Sequence, residues 1–170
     1  MFFKTKIQRD CNRTKAHLER KFIAMCEPVN ELLEWDGNNI KELEILYTCV
    51  AMVVSQLYGS IADLRKINME NMKETIMKIL APFKPMNLSK ENCISIYRDM
   101  KKGDMSSVTI ERGELTFSDC RMISKLERKD VVAAQEFELF AYEMQCEIKK
   151  IMDQINDFVT EKGLFLGGIR

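Results

Sequence analysis

NIKELEILYTCVAMVVSQLYGSIADLRK, residues 39–66, decides how the rest of the chain is read. Ile40, Leu43, Tyr47, Val50, Val54, Leu57, Ile61 and Leu64 recur at steps of three and four, the spacing of one face of an α-helix. Leu46, Val53 and Tyr58 widen that face, and Ile45, Cys49 and Met52 add apolar residues on another side. A helix this apolar all round belongs at the centre of a fold. Asn39, with Glu42 three positions on, has the pattern of a capping box at its start. The longest apolar run, Ile45 to Val54, is broken only by Thr48, and ten residues are too few to cross a bilayer core of about 30 Å.

Toward the N-terminus, Lys4 to Cys26 reads as an amphipathic helix, with Ile7, Cys11, Thr14, Leu18, Phe22 and Met25 on one face. Pro28 predicts a kink or a new start, because its ring blocks the preceding turn. A short helical piece then runs to the turn signal Trp35-Asp36-Gly37-Asn38. Toward the C-terminus, Asn68 and Asn71 are alternative caps for a separate helix ending near Leu80. Pro82 and Pro85 bracket a linker, and a helix from Leu88-Ser89 ends at Lys101-Lys102-Gly103. In SVTIERGELTF, residues 107–117, apolar and polar residues alternate on both sides of Arg112-Gly113, which predicts a β-hairpin with that pair at its tip. Beyond it, Asp119 to Lys162 reads as one long helix, or two joined near Lys129-Asp130, ended by Gly163. Phe137, Phe140, Met144, Ile148, Ile151, Ile155 and Phe158 form a coiled-coil-like seam along it.

The expected fold is therefore all-α: a helical bundle of five to six helices, with a long C-terminal helix and one small β-hairpin over residues 107–118. Residues 1–162 are expected to form one domain and 163–170 a short tail, either flexible or docked on a neighbour. The 170 residues suffice for one core, and 46% apolar with 31% charged residues is a globular balance. The net charge of zero provides no global field toward DNA or membrane. The start MFFKTKIQRDC has no apolar signal core, so a cytoplasmic location without membrane attachment is expected. The six cysteines form no CxxC pair and the chain has one histidine, His17, so reduced thiols and no metal or other cofactor are expected. Richness in Lys, Ile, Asn and Glu hints at an AT-rich bacterial or phage genome.

Charge is uneven along the chain. Residues 1–21 hold seven basic residues and two acidic ones, and Lys6, Arg9, Arg13 and Arg20 share a stripe opposite the apolar one. Residues 27–46 reverse this, with six acids and only Lys41. Glu136, Glu143 and Glu147 share one face of the last helix, and with Glu31 or Glu34 opposite they have the makings of a carboxylate cation site. Phe140 on the same stripe favours an ordinary solvated face.

Two patterns have an enzymatic or nucleic-acid reading. Glu111-Arg112-Gly113-Glu114, a spacer of twelve residues, and Glu127-Arg128-Lys129-Asp130 form a string that resembles the E-x-x-E…E-x-x-D motif of MazG-type all-α nucleotide pyrophosphohydrolases. That resemblance implies helical carboxylates holding magnesium for phosphoanhydride hydrolysis. The alternation and Gly113 favour a hairpin, in which Glu111 and Glu114 stay solvated. A hairpin after two short helices also has the form of a winged helix, with Lys90, Arg98, Lys101 and Lys102 toward DNA. Glu91, Asp99 and Asp104 neutralise that footprint. The leading expectation is a non-enzymatic protein–protein interaction module, such as a regulator, inhibitor, immunity or adaptor protein. It would bind another protein through helical faces and self-associate through the seam of Phe137, Phe140, Met144, Ile148, Ile151 and Ile155. A winged-helix-like nucleic-acid regulator and a magnesium-dependent pyrophosphohydrolase are the alternatives.

Overall fold

The computed structural model describes residues 4–81 and 128–164, and these are all-α, with no strand among them. Three helices follow in order: α1, Lys6–Leu33; α2, Ile40–Leu80; and α3, Arg128–Lys162. The helix expected over 89–101 and the hairpin over 107–118, with Arg112 and Gly113 at its tip, lie outside the described residues.

α1 starts at a capping box. Gln8 N donates to Thr5 Oγ1 at 3.2 Å, and Thr5 N donates to Gln8 Oε1 at 2.9 Å, so two orphan donors satisfy each other's residue. The helix does not break at Pro28, as the sequence predicts, but carries it inside. Proline in a helix interior costs about 3 kcal/mol. Met25, Val29 and Leu32, all within a turn of it, are almost fully buried, and each such side chain returns about 1.5–3 kcal/mol. Packing wins, and α1 ends instead at the expected turn. There Glu34 N donates to Asn30 O, and Trp35 Nε1 donates to Gly37 O at 2.9 Å.

α2 opens on Asn39, whose Oδ1 accepts from Lys41 N at 3.1 Å and Glu42 N at 3.3 Å. It then runs through Asn68 and Asn71, the expected caps of a separate helix. Asn68 is buried, and its Nδ2 donates to Ala134 O of α3 at 2.8 Å. With its amide engaged between helices, Asn68 ties α2 to α3 and starts nothing. Four expected helical pieces are thus two continuous helices. α3 ends at Gly163, which takes φ +65°. Leu164 N donates to Val159 O and Gly163 N to Thr160 O, the two bonds of a Schellman cap, and Leu164 is buried behind it.

By contact the chain divides into two compact units, and every helix contributes to both. One takes residues up to Arg13 with Arg65–Leu139. In it Met72 and Ile76 of α2 and Val131, Ala134 and Phe137 of α3 are buried. Arg65 Nε donates to Glu138 Oε1 at 2.8 Å, and Gln8 Nε2 donates to Lys129 O. The other takes Thr14–Leu64 with Phe140 onward. Its core combines Leu18, Met25, Val29 and Leu32 of α1 with Leu43, Tyr47, Val50, Val54, Leu57 and Ile61 of α2. Ala141, Met144, Ile148 and Ile155 of α3 complete it.

Candidate protein-interaction surface

The seam predicted for self-association lies inward. Phe137, Met144, Ile148 and Ile155 are buried, and Phe140 and Ile151 are half-buried. Phe140 is further covered by Lys15 of α1, whose Nζ stands 5.7 Å from the ring centroid. A heptad-like seam needs a partner; here the chain's own helices cover Phe137, Met144, Ile148 and Ile155, while Phe140 and Ile151 stay half-buried at the edge of that core.

The basic stripe is on the surface. Lys6, Arg9 and Arg13 are exposed in the first unit, and Arg20 is exposed in the second. Glu136, Glu143 and Glu147 are exposed on α3, and Glu31 and Glu34 are exposed at the end of α1. Glu147 accepts from Lys150 Nζ at 2.9 Å, and that hydrogen bond, with the carboxylate's charge, holds the Lys150 ammonium above its ordinary pKa. Beside it Phe22, Phe140 and Met144 line a groove of about 330 Å³ with Glu143 and Glu147. Among the described residues no group of three or more His, Cys, Asp and Glu side chains is placed to hold a metal ion. Asp130 lies in the first turn of α3, half-buried, while Glu111, Glu114 and Glu127 lie outside the described residues. His17 is exposed on α1.

The surface that stands out is the outer side of α2. Of the face that runs from Ile40 to Leu64, Leu43, Tyr47, Val50, Val54, Leu57 and Ile61 are buried, Leu64 is half-buried, and Ile40 at the helix start is exposed. On the opposite side Ile45 is 65% exposed and Met52 56% exposed, with Cys49, Val53 and Gln56 exposed beside them. Ile45, Cys49 and Met52 are the residues that the sequence places on a second side of the helix, and Val53, expected to widen the inner face, is exposed with them, so apolar character does not bury these four. Val53, Gln56 and Ser60 also line a groove of about 670 Å³ with Lys21, Ala24 and Pro28 of α1.

From Ile45 to Ala62 the helix carries no charged residue. The criterion of an unbroken apolar run missed this length, because Ser55, Gln56, Gly59 and Ser60 interrupt apolarity without adding charge. By length and composition α2 is long and apolar enough to cross a membrane, and 28% of the relevant window is buried. A helix wholly enclosed by its own fold would bury far more; this one leaves half of residues 45–62 exposed. No protein-family model, curated protein or solved structure matches the chain.

Proposed function

We propose that this chain is a non-enzymatic interaction module that binds protein stoichiometrically through exposed helical faces, with the outer side of α2 as its principal contact. The observation that carries the reading is the charge-free stretch Ile45–Ala62, whose outward residues Ile45, Cys49, Met52 and Val53 are exposed. Large apolar side chains gathered on one face lose unfavourable hydration when a partner covers them, at roughly 25 cal/mol per Å². Action in the cytoplasm as a small regulator, inhibitor, immunity factor or adaptor fits this reading.

The test is a pull-down with purified tagged chain from nuclease-treated lysate of the native source, run beside Met52→Asp. One dominant partner, at a stoichiometric level and lost in the variant, is the expected result. Recovery of the bait alone from both sinks the reading.

A second reading rests on the exposed Lys6, Arg9 and Arg13, which offer a positive stripe to nucleic acid. The hairpin over 107–118, supported by sequence alone, would serve it as a wing. Its test is retardation of a DNA fragment at low salt, weakened by Arg9→Glu; no retardation removes it.

A further inference from the structure

We infer that the partner of the outer α2 face is the same face of a second copy of this chain, packed antiparallel about a two-fold axis at Met52. The inference rests on the reading above, that this face binds protein, and names its occupant.

Lys41, Ile45, Met52, Gln56, Gly59 and Asp63 are all exposed and follow one another at steps of four, seven, four, three and four. That is a second seam, with the same period as the buried one and opposite it on the helix, and its Gln56, Gly59 and Asp63 also line the groove shared with Lys21, Ala24 and Pro28 of α1. Between its ends it carries the uncharged Ile45, Met52, Gln56 and Gly59, and it is basic at one end and acidic at the other. A two-fold axis makes such a seam self-complementary, because each residue meets the one equally far on the other side of the axis. Lys41 stands eleven positions before Met52, and Asp63 stands eleven after. Ile45 stands seven before, and Gly59 stands seven after. One axis therefore sets Lys41 against Asp63 at both ends and Ile45 against Gly59 at two levels, with Met52 against its copy.

Gly59 adds a steric argument to the electrostatic one. A Cβ built there meets nothing within 4 Å, so the protomer's own packing gives no reason for a glycine in mid-helix. Without a side chain at that level a neighbouring helix can approach closely, and the Ile45 side chain of the copy fills the space. Neither Lys41 nor Asp63 makes an ion pair among the described residues, so both charges are available. A parallel pairing would oppose Lys41 to Lys41 and Asp63 to Asp63, which like-charge repulsion disfavours.

A bilayer is the competing occupant, and packing weighs against it. In the same unit Tyr47, Val50, Val54, Leu57 and Ile61 on the far side of α2 are buried together with residues of α1 and α3. Sinking α2 into lipid would carry with it those charged helices or strip them from the core.

Sedimentation equilibrium of the full chain over a wide concentration range tests the proposal, with circular dichroism to confirm that each variant keeps its helix content. The wild type is expected to dimerise. Met52→Asp sets two carboxylates against each other at the axis and weakens association by about a hundredfold or more. Lys41→Glu and Asp63→Lys each convert two attractive contacts into repulsive ones and weaken it by about tenfold. The double variant Lys41→Glu/Asp63→Lys restores the pairing with its signs exchanged and returns to within about twofold of wild type. A monomer at every concentration overturns the proposal. So does a dimer indifferent to Met52→Asp, or single-site losses that the double exchange fails to repair. Flotation of a monomeric chain with phosphatidylcholine vesicles, lost in Met52→Asp, overturns it in favour of lipid. A monomer that still captures one other protein through Met52 sinks this inference and leaves the broader reading standing; a monomer that captures none sinks both.

Discussion

Gly37 and Gly59 answer opposite demands. At Gly37 an added Cβ would stand 2.7 Å from the Trp35 ring, which is held by its own hydrogen bond to the Gly37 carbonyl. At Gly59 the added atom meets open space and would remove the entropic cost of glycine in a helix. Gly37→Ala is therefore expected to destabilise by about 1 kcal/mol, and Gly59→Ala to stabilise the dilute protomer by about 0.5–1 kcal/mol. Urea denaturation of both variants checks the signs. Asn68 is the residue whose role most changes between sequence and structure. A cap needs a helix start, and here the amide reaches across to Ala134 O from mid-helix. Asn68→Ala loses that bond and leaves a gap, for about 1–2 kcal/mol. Asn68→Leu fills the gap and should cost less, because the Ala134 carbonyl keeps its place in α3. An Asn68→Leu protein less stable than Asn68→Ala would refute this account.

At the scale of the element, local rules decide helix ends and lose to packing inside helices. The Thr5–Gln8 box and the Gly163 cap follow from short-range chemistry. Thr5→Ala should lower stability by about 1 kcal/mol, measured by chemical denaturation. Pro28 shows the reverse case, because its defect is tolerated for the sake of Met25, Val29 and Leu32. Pro28→Ala restores the missing donor and removes the ring clash, so thermal melting should rise, by about 1–3 kcal/mol in stability. An unchanged or lower melting temperature would mean that the ring itself packs productively. The Glu147–Lys150 pair on α3 has a definite pH signature. The raised Lys150 pKa means that its contribution is fully present below the ordinary lysine value of about 10.4 and is lost as pH rises through the raised one. The pair is exposed, so the pH-dependent part of the Lys150→Met difference in melting should be small, equal at pH 6 and pH 9, and lost in strongly alkaline buffer.

For the whole molecule, the question is which apolar faces are used internally and which are left over. The α3 seam is used. Phe137→Ala and Ile148→Ala, one in each compact unit, should each destabilise by about 3–5 and 2–5 kcal/mol respectively, independent of protein concentration. A loss that grew on dilution would restore the seam as an interface between molecules. The outer face of α2 is left over. There Met52→Asp should scarcely alter the melting of the dilute protomer, while it weakens association by about a hundredfold or more.

Some of this was legible in the residues alone. The all-α class followed from steps of three and four in residues 43–61 and 137–155, since that period commits side chains to one side of a helix before any partner is known. The turn at Trp35–Asn38 and the stop at Gly163 followed from backbone chemistry confined to a few residues. The sequence also showed that α2 is apolar on two sides, and that α3 has a seam. Only tertiary structure decided which side of α2 faces in, that Pro28 and Asn68 lie within helices, and that α3 spends its seam at home. The reason is physical: periodicity names a face but not its neighbour, and a fold has room to bury only some of the faces a chain supplies.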